Sequence, residues 1–331
     1  MTDPAVDLGR AALARGAWAE ARKRFADALA REETAAAFEG AGLAARYELD
    51  ADGAIDAHER GYRLARSRGD AATAARLAIQ LCHDAYAFRG PAEASGWVER
   101  AALLVEGEPP SVATAWVSLL RAHFALADHR PDLAVEGSGE AIALAREAGA
   151  VDVEMLALAL NGLALVSSGQ IEQGMRRLDA AAAAAVGGEM TDADSIETVC
   201  CHMIDACKLV RDLERATEWC LRVREIATRF ADRQMFSICR TAYADVLLWH
   251  GDWERADEEL TAAVQELGVL RPGRDVDPLA RLAELRRRQG RTREAEALLA
   301  RVESHRFHAL LVGLLALDRG DAATACEAAA R

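Results

Sequence analysis

The stretch Gly16-Ala17-Trp18-Ala19-Glu20-Ala21-Arg22-Lys23-Arg24-Phe25-Ala26-Asp27-Ala28 decides the fold. A glycine is followed by a bulky residue at +2, a small one at +5, a bulky one at +9 and alanine at +12. The frame recurs at Gly251, Trp253, Ala256, Leu260 and Ala263, and again at Gly169, Ile171, Gly174, Leu178 and Ala181. Gly290 with Ala295 and Leu299 is a further copy, and Gly320 with Ala325 opens a last one. Weaker copies turn at Leu49, Gly90, His129 and Arg211, with Ala54, Ala134 and Ala216 at the small position. The physical content is a helical hairpin. The glycine ends one helix in the left-handed region, the +2 residue plugs the junction, and the small residues let two antiparallel helices approach. Several copies carry a second glycine seven residues before the turn: Gly9, Gly42, Gly162 and Gly313.

The pattern resembles the tetratricopeptide (TPR) repeat, a helix–turn–helix unit that stacks into a right-handed superhelix. The turns fall at 16, 49, 90, 129, 169, 211, 251, 290 and 320, mostly 39 to 42 residues apart. That is longer than the usual TPR spacing of about 34. The expectation is an all-α, TPR-like solenoid of about nine antiparallel helix pairs. It occupies residues 1–331 without a break into unlike domains. Loops are expected at Pro109-Pro110, Gly187-Gly188 and Arg271-Pro272-Gly273, and a capping box at Asp194-Ser195-Ile196-Glu197.

Composition agrees. Alanine supplies 74 of 331 residues, proline only 7, and aromatics 5%. That suits close-packed helices and argues against sheets, whose strands favour β-branched and aromatic residues. All but Lys23 and Lys208 of the 40 basic residues are arginines. A net charge of -13 disfavours nonspecific binding to DNA or anionic membranes. The polar stretch Met1–Ala21 lacks the apolar core of a signal peptide, no run suggests a membrane span, and seven cysteines without framework spacing suit a reducing cytoplasm. The segment after Gly320 ends in an apolar, half-finished second helix. Either a partner covers it or the protein continues beyond residue 331, and continuation is the expectation.

Longer stretches narrow the likeness. Glu154-Met-Leu-Ala-Leu-Ala-Leu-Asn-Gly-Leu-Ala-Leu, Gly174-Met-Arg-Arg-Leu-Asp-Ala, Cys200-Cys-His-Met-Ile-Asp-Ala-Cys207, Val210-Arg-Asp-Leu-Glu-Arg-Ala216 and Arg281-Leu-Ala-Glu-Leu-Arg-Arg-Arg-Gln-Gly290 carry it. Together they resemble the TPR-type sensor region of actinobacterial LuxR-family transcriptional regulators. The resemblance implies a sensor that passes a signal to a C-terminal helix-turn-helix domain outside these residues. DNA contact would then belong to that absent domain. No phosphate-binding G-x-x-x-x-G-K-[ST] motif occurs.

No HExxH, GxSxG or strand-borne GxGxxG motif occurs, so the chain is read as a non-enzyme without cofactor. Cys200, Cys201, His202, Cys207 and Cys220 lie close together around Asp205, but in no standard zinc spacing. Buried structural thiols are the main reading and a metal or redox site the other. The run Arg286-Arg287-Arg288 reads as a solvated helix end. Trp18 and Trp253 read as structural plugs, and Trp219 as packing between helices.

The functional signal is in the groove. In a TPR the inner wall is built from first helices. At turn minus 6 the copies carry Arg10, Leu43, Asp84, His123, Leu163, Asp205, Asp245 and Glu284. Nearby inner positions add Gln80, Phe88, Trp116, Thr198, Cys201, Thr241 and Trp249. Acids with aromatics on a concave wall suit a small cationic ligand, or a protein or basic peptide partner. The ligand-binding set is therefore Asp84, His123, Asp205, Asp245, Trp116, Trp249, Gln80 and Phe88. Asp205 and Asp245 are expected to be solvated carboxylates, and His123 to repel a cation once protonated below about pH 6 to 6.5. The expected function is the sensor or interaction region of a cytoplasmic regulator, the alternative a stand-alone TPR scaffold. Homo-oligomers are compatible with either.

Overall fold

The computed structural model describes residues 3–229, 233–270, 275–303 and 308–330. Every regular element among them is helical, with no strand. The chain divides into two compact units, one within Met1–Val210, the other comprising Arg211–Arg229 and Arg233–Arg331. Unit 1 stacks the hairpins α1 (Pro4–Leu13) with α2 (Trp18–Leu29), α3 (Ala35–Tyr47) with α4 (Ala51–Ser67), and α5 (Ala71–Phe88) with α6 (Pro91–Val105). It continues with α7 (Val112–Ala127) and α8 (Pro131–Glu147), α9 (Val151–Ser167) and α10 (Ile171–Gly187), and ends in α11 (Ala193–Val210). Unit 2 opens with α12 (Leu213–Arg229). It then stacks α13 (Arg233–His250) with α14 (Trp253–Leu270), α15 (Val276–Arg288) with α16 (Thr292–Leu299), and α17 (His308–Asp318) with α18 (Ala322–Ala329). The unit boundary falls at the Arg211 turn, where neither composition nor repeat phase changes.

All nine turn residues have positive φ, including the non-glycines Leu49 (62°), His129 (58°) and Arg211 (64°). The next amide closes the turn by donating back to the helix: Ala17 to the Ala12 carbonyl (3.0 Å), Asp50 to Ala45 (2.9 Å), Gln170 to Leu165 (2.8 Å) and Asp252 to Leu247 (3.0 Å). This is the Schellman closure that a left-handed residue permits. The residue after the turn often caps the second helix. Asp50 accepts the Gly53 amide at 3.0 Å and Asp321 the Thr324 amide at 3.1 Å.

The +5 alanines and the +9 side chains Phe25, Leu178, Cys220 and Leu260 are fully buried. The glycines seven residues before the turn make room for them. A Cβ on Gly162 would lie 2.7 Å from the Gly174 carbonyl oxygen and 2.8 Å from Leu178 Cγ. Backbone therefore meets backbone where α9 crosses α10.

Two expectations need correction. The +2 residue is not a general plug, since Ile171 is 49% and Trp253 37% exposed. Position +2 opens the second helix, and its side chain stands at the hairpin's end instead of between the helices. The +9 side chain does the interlocking. The cap of α11 is also two residues earlier than expected. Asp192, not Asp194, accepts the Ser195 amide (2.9 Å) and hydroxyl (2.6 Å). Of the expected loops, Pro109-Pro110 falls between α6 and α7, while Gly187 ends α10 and Gly188 (φ 84°) follows it. Arg271-Pro272-Gly273 lies outside the described residues. No described helix is long and apolar enough to cross a membrane.

Candidate functional site

In unit 1 the first helices follow one another in contact, α3 to α5, α5 to α7, α7 to α9 and α9 to α11. Their shared side collects most of the residues singled out from the sequence.

Asp84 is the centre of a buried polar cluster. The +9 slot of the second copy is His58, fully buried where the strong copies have an apolar side chain. Gly42 opposite it has no Cβ because one would run into the imidazole. His58 Nδ1 lies 2.5 Å from Asp84 Oδ2, and Arg46 Nε donates to Asp84 Oδ1 at 2.7 Å. Arg46 Nη2 donates to the Gln80 side-chain oxygen at 2.8 Å and to its backbone carbonyl at 3.0 Å. Burial alone would raise the Asp84 pKa, but Arg46 and His58 reverse this and hold it below the usual carboxylate range. A second polar pair occupies the fourth copy. Ser138, at +9, is buried and accepts from Asn161 Nδ2 at 2.9 Å.

The aromatic residues of α5 and α7 pair edge to face. Trp116 meets His83 at 5.2 Å between ring centres, and His123 meets Tyr86 at 5.5 Å. Phe88, at the end of α5, is half-buried. Burial pushes His83 down to about 3, with Arg46 adding to the effect, and burial with His123 nearby does the same for His202. His83 Nε2 and His202 Nδ1 are shielded from solvent and find no hydrogen-bond partner in the protein. His123 is also held below the ordinary imidazole value by burial. Its proton is therefore lost more easily than the sequence suggested.

Asp205 keeps a 57% exposed side chain and meets Lys208 at 3.7 Å. Asp194 reaches furthest. Asp192 makes the cap, and the Asp194 carboxylate stands close enough to Tyr47, at the end of α3, to raise the pKa of its hydroxyl. Burial, then Asp194 and Asp192, raise the Tyr47 pKa well above that of a free phenol. Tyr47 stacks on Trp18 at 4.0 Å with nearly parallel rings. The loop carrying Asp192 is fixed by Asp152, which accepts the Thr191 amide (2.7 Å) and hydroxyl (3.0 Å) and the Asp192 amide (3.2 Å). Leu43 and Tyr47 of α3 line one pocket with Thr191, Asp192 and Ala193, so the inner row of unit 1 comes round until its second member stands beside the start of its last.

Asp245 and Trp249 belong to unit 2. Asp245 is not a solvated wall residue. It is 3% exposed and meets Arg281 at 3.2 Å. Trp249 is 43% exposed, with the guanidinium carbons of Arg211 and Arg288 at 4.1 and 4.6 Å from its ring centre. The arginine run is not a solvated helix end either. Arg286 is buried and bidentate to Asp257 (2.5 and 2.8 Å), and Arg287 bonds Glu284 and Asp318, both at 2.7 Å. Asp257 and Asp318 come from the neighbouring helices α14 and α17, and Glu284 from α15 itself. Cys220 fills its +9 slot, and among the described residues no group of three or more His, Cys, Asp or Glu side chains is placed to hold a metal.

Sequence reasoning missed Arg46, His58, Tyr47 and Asp194. Only His58 was signalled, as a polar residue in a slot that is apolar in the strong copies.

No family model and no curated protein matches the sequence. Solved structures do match. A Rap protein complexed with competence and sporulation factor is similar at a TM-score of 0.68 and 11% identity, over 89% of this chain and 85% of that one. IFIT1, as a monomeric mutant with the capped RNA m7Gppp-AAAA, is similar at 0.57 and 14%, over 98% and 75%. A signal transduction ATPase with numerous domains and a tetratricopeptide repeat sensor, from Pyrococcus horikoshii, is similar at 0.55 and 13%, over 93% of this chain and 51% of that protein. At these identities the likeness is one of fold. The chain is a TPR-like helical-repeat protein.

Proposed function

We propose that this chain is a non-catalytic sensor or interaction region that takes a ligand or peptide on the inner side of unit 1. In the finer form of the proposal it serves a cytoplasmic LuxR-type transcriptional regulator and signals to a DNA-binding domain outside these residues. The observation that carries it is the pocket that Leu43 and Tyr47 of α3 share with Asp192 and Ala193 at the start of α11. In a repeat stack, elements interact mainly with their neighbours. A pocket shared by the third helix and the start of the eleventh is therefore sensitive to the curvature of every hairpin between them. A ligand that binds there with different affinity for the closed and opened forms shifts that curvature, the condition for transmitting a signal. The neighbours support the reading by analogy, since the Rap protein holds a named factor and the Pyrococcus repeats are described as a sensor. The stand-alone scaffold is favoured by one observation, the exposure of Leu310 (56%) and Leu317 (60%) on α17.

The regulator reading is tested by translating the reading frame beyond residue 331. A helix-turn-helix segment is expected. A stop codon there would contradict the regulator and leave the scaffold.

A further inference from the structure

The loop before α11 and the first two hairpins enclose a pocket of about 140 Å³. Trp18, Leu43 and Tyr47 line one side, and Thr191 and Asp192 the other. We propose that this pocket binds a cationic group, an alkylammonium or a guanidinium, carried by a free amine or by a basic side chain of a peptide. The proposal rests on the reading of the inner side of unit 1 as the ligand-binding side, and names the ligand's chemistry.

The lining is aromatic and acidic. Trp18 and Tyr47 stack on each other, which uses one face of each ring. Aromatic rings attract cations through their electron-rich faces. Asp192 contributes the charge. The donors that hold its carboxylate are the Ser195 amide and hydroxyl, both neutral, so capping does not cancel the negative charge. Arg46 lies within electrostatic reach of Asp194, but its guanidinium is committed to Asp84 and Gln80. The negative field that keeps the Tyr47 proton in place also favours an added cation and opposes an anion.

The chain's charge of -13 raises the local concentration of either cation.

The test is calorimetric titration of the full chain with n-butylguanidinium, with the acetylated and amidated tripeptide Gly-Arg-Gly, and with the same peptide carrying neutral citrulline in place of arginine. The variants are Asp192→Asn, which keeps a good helix cap, and Tyr47→Leu, which removes the ring face. Wild type is expected to bind the guanidinium probes, with the citrulline peptide at least about tenfold weaker, as for loss of a charge-assisted contact. Asp192→Asn is expected to weaken the guanidinium probes by about tenfold at an unchanged melting temperature, and Tyr47→Leu to weaken them further. Equal binding of butylguanidinium and the arginine peptide identifies a small free cation as the source. Clearly tighter binding of the peptide identifies a chain-borne side chain. Either result upholds the cationic site. Folded wild type that binds neither guanidinium probe overturns it, as does equal affinity for the citrulline peptide or full affinity in Asp192→Asn. None of these results depends on the downstream reading frame, so failure here removes the cation and leaves the sensor reading to its own test.

Discussion

His58 Nδ1 lies 2.5 Å from the Asp84 carboxylate, in the repeat slot that Phe25 fills one copy earlier. A polar residue between close-packed helices needs a partner, and Asp84 supplies it while also holding Arg46. Removing one member of a buried ionic cluster leaves the other charged and unpaired. Asp84→Ala is therefore expected to cost about 3–5 kcal/mol, and Asp205→Asn no more than about 0.5 kcal/mol because that carboxylate is exposed. Urea unfolding of the two variants measures the difference, and similar midpoints would contradict the buried cluster.

Glycine placement gives an independent prediction. Gly162→Ala would press a methyl group against the Gly174 carbonyl and Leu178, at an expected cost of about 1–3 kcal/mol. At Gly187 a Cβ meets nothing within 4 Å, and Gly187→Ala is expected to be neutral or to stabilise by up to about 1 kcal/mol. Thermal melting of both variants decides. A harmless Gly162→Ala would mean that α9 and α10 do not touch there.

The turns were legible in the sequence because a left-handed residue every forty positions has few chemical solutions, and the small and bulky residues around it repeat. Even Leu49, His129 and Arg211 could be placed, since the flanking frame fixes the phase. The site was less legible. Asp84, Asp205 and Asp245 hold the same repeat position, yet two are buried and one is exposed. Their difference comes from Arg46 and Arg281 on neighbouring first helices, which periodicity within one copy does not reveal. Tyr47 and Asp194 were missed because their proximity depends on the accumulated curvature of the hairpins between them. Asp194 was assigned to a cap that Asp192 makes.

Acid should destabilise unit 1. His83 and His202 titrate near 3 when folded, against an ordinary 6.5. Between those values the unfolded chain binds protons that the folded chain does not. Their contribution is therefore complete above about pH 6.5 and declines as pH falls, by up to about 1.4 kcal/mol per unit for each imidazole. Melting temperature is expected to drop from pH 7 to pH 5, and less steeply in a His83→Gln, His202→Gln double variant. A wild-type melting temperature that is constant over that range would contradict the neutral buried imidazoles.

The central claim is that the inner row of unit 1 comes round until Tyr47 stands within electrostatic reach of Asp194. A double-mutant cycle tests it most directly, with Tyr47→Phe, Asp194→Ala and the double variant unfolded in urea as the full chain. A phenol within reach of a carboxylate predicts a coupling energy of at least about 0.5 kcal/mol between the two substitutions. Strict additivity would mean that the two side chains do not interact, and would contradict both the closure and the sensor built on it.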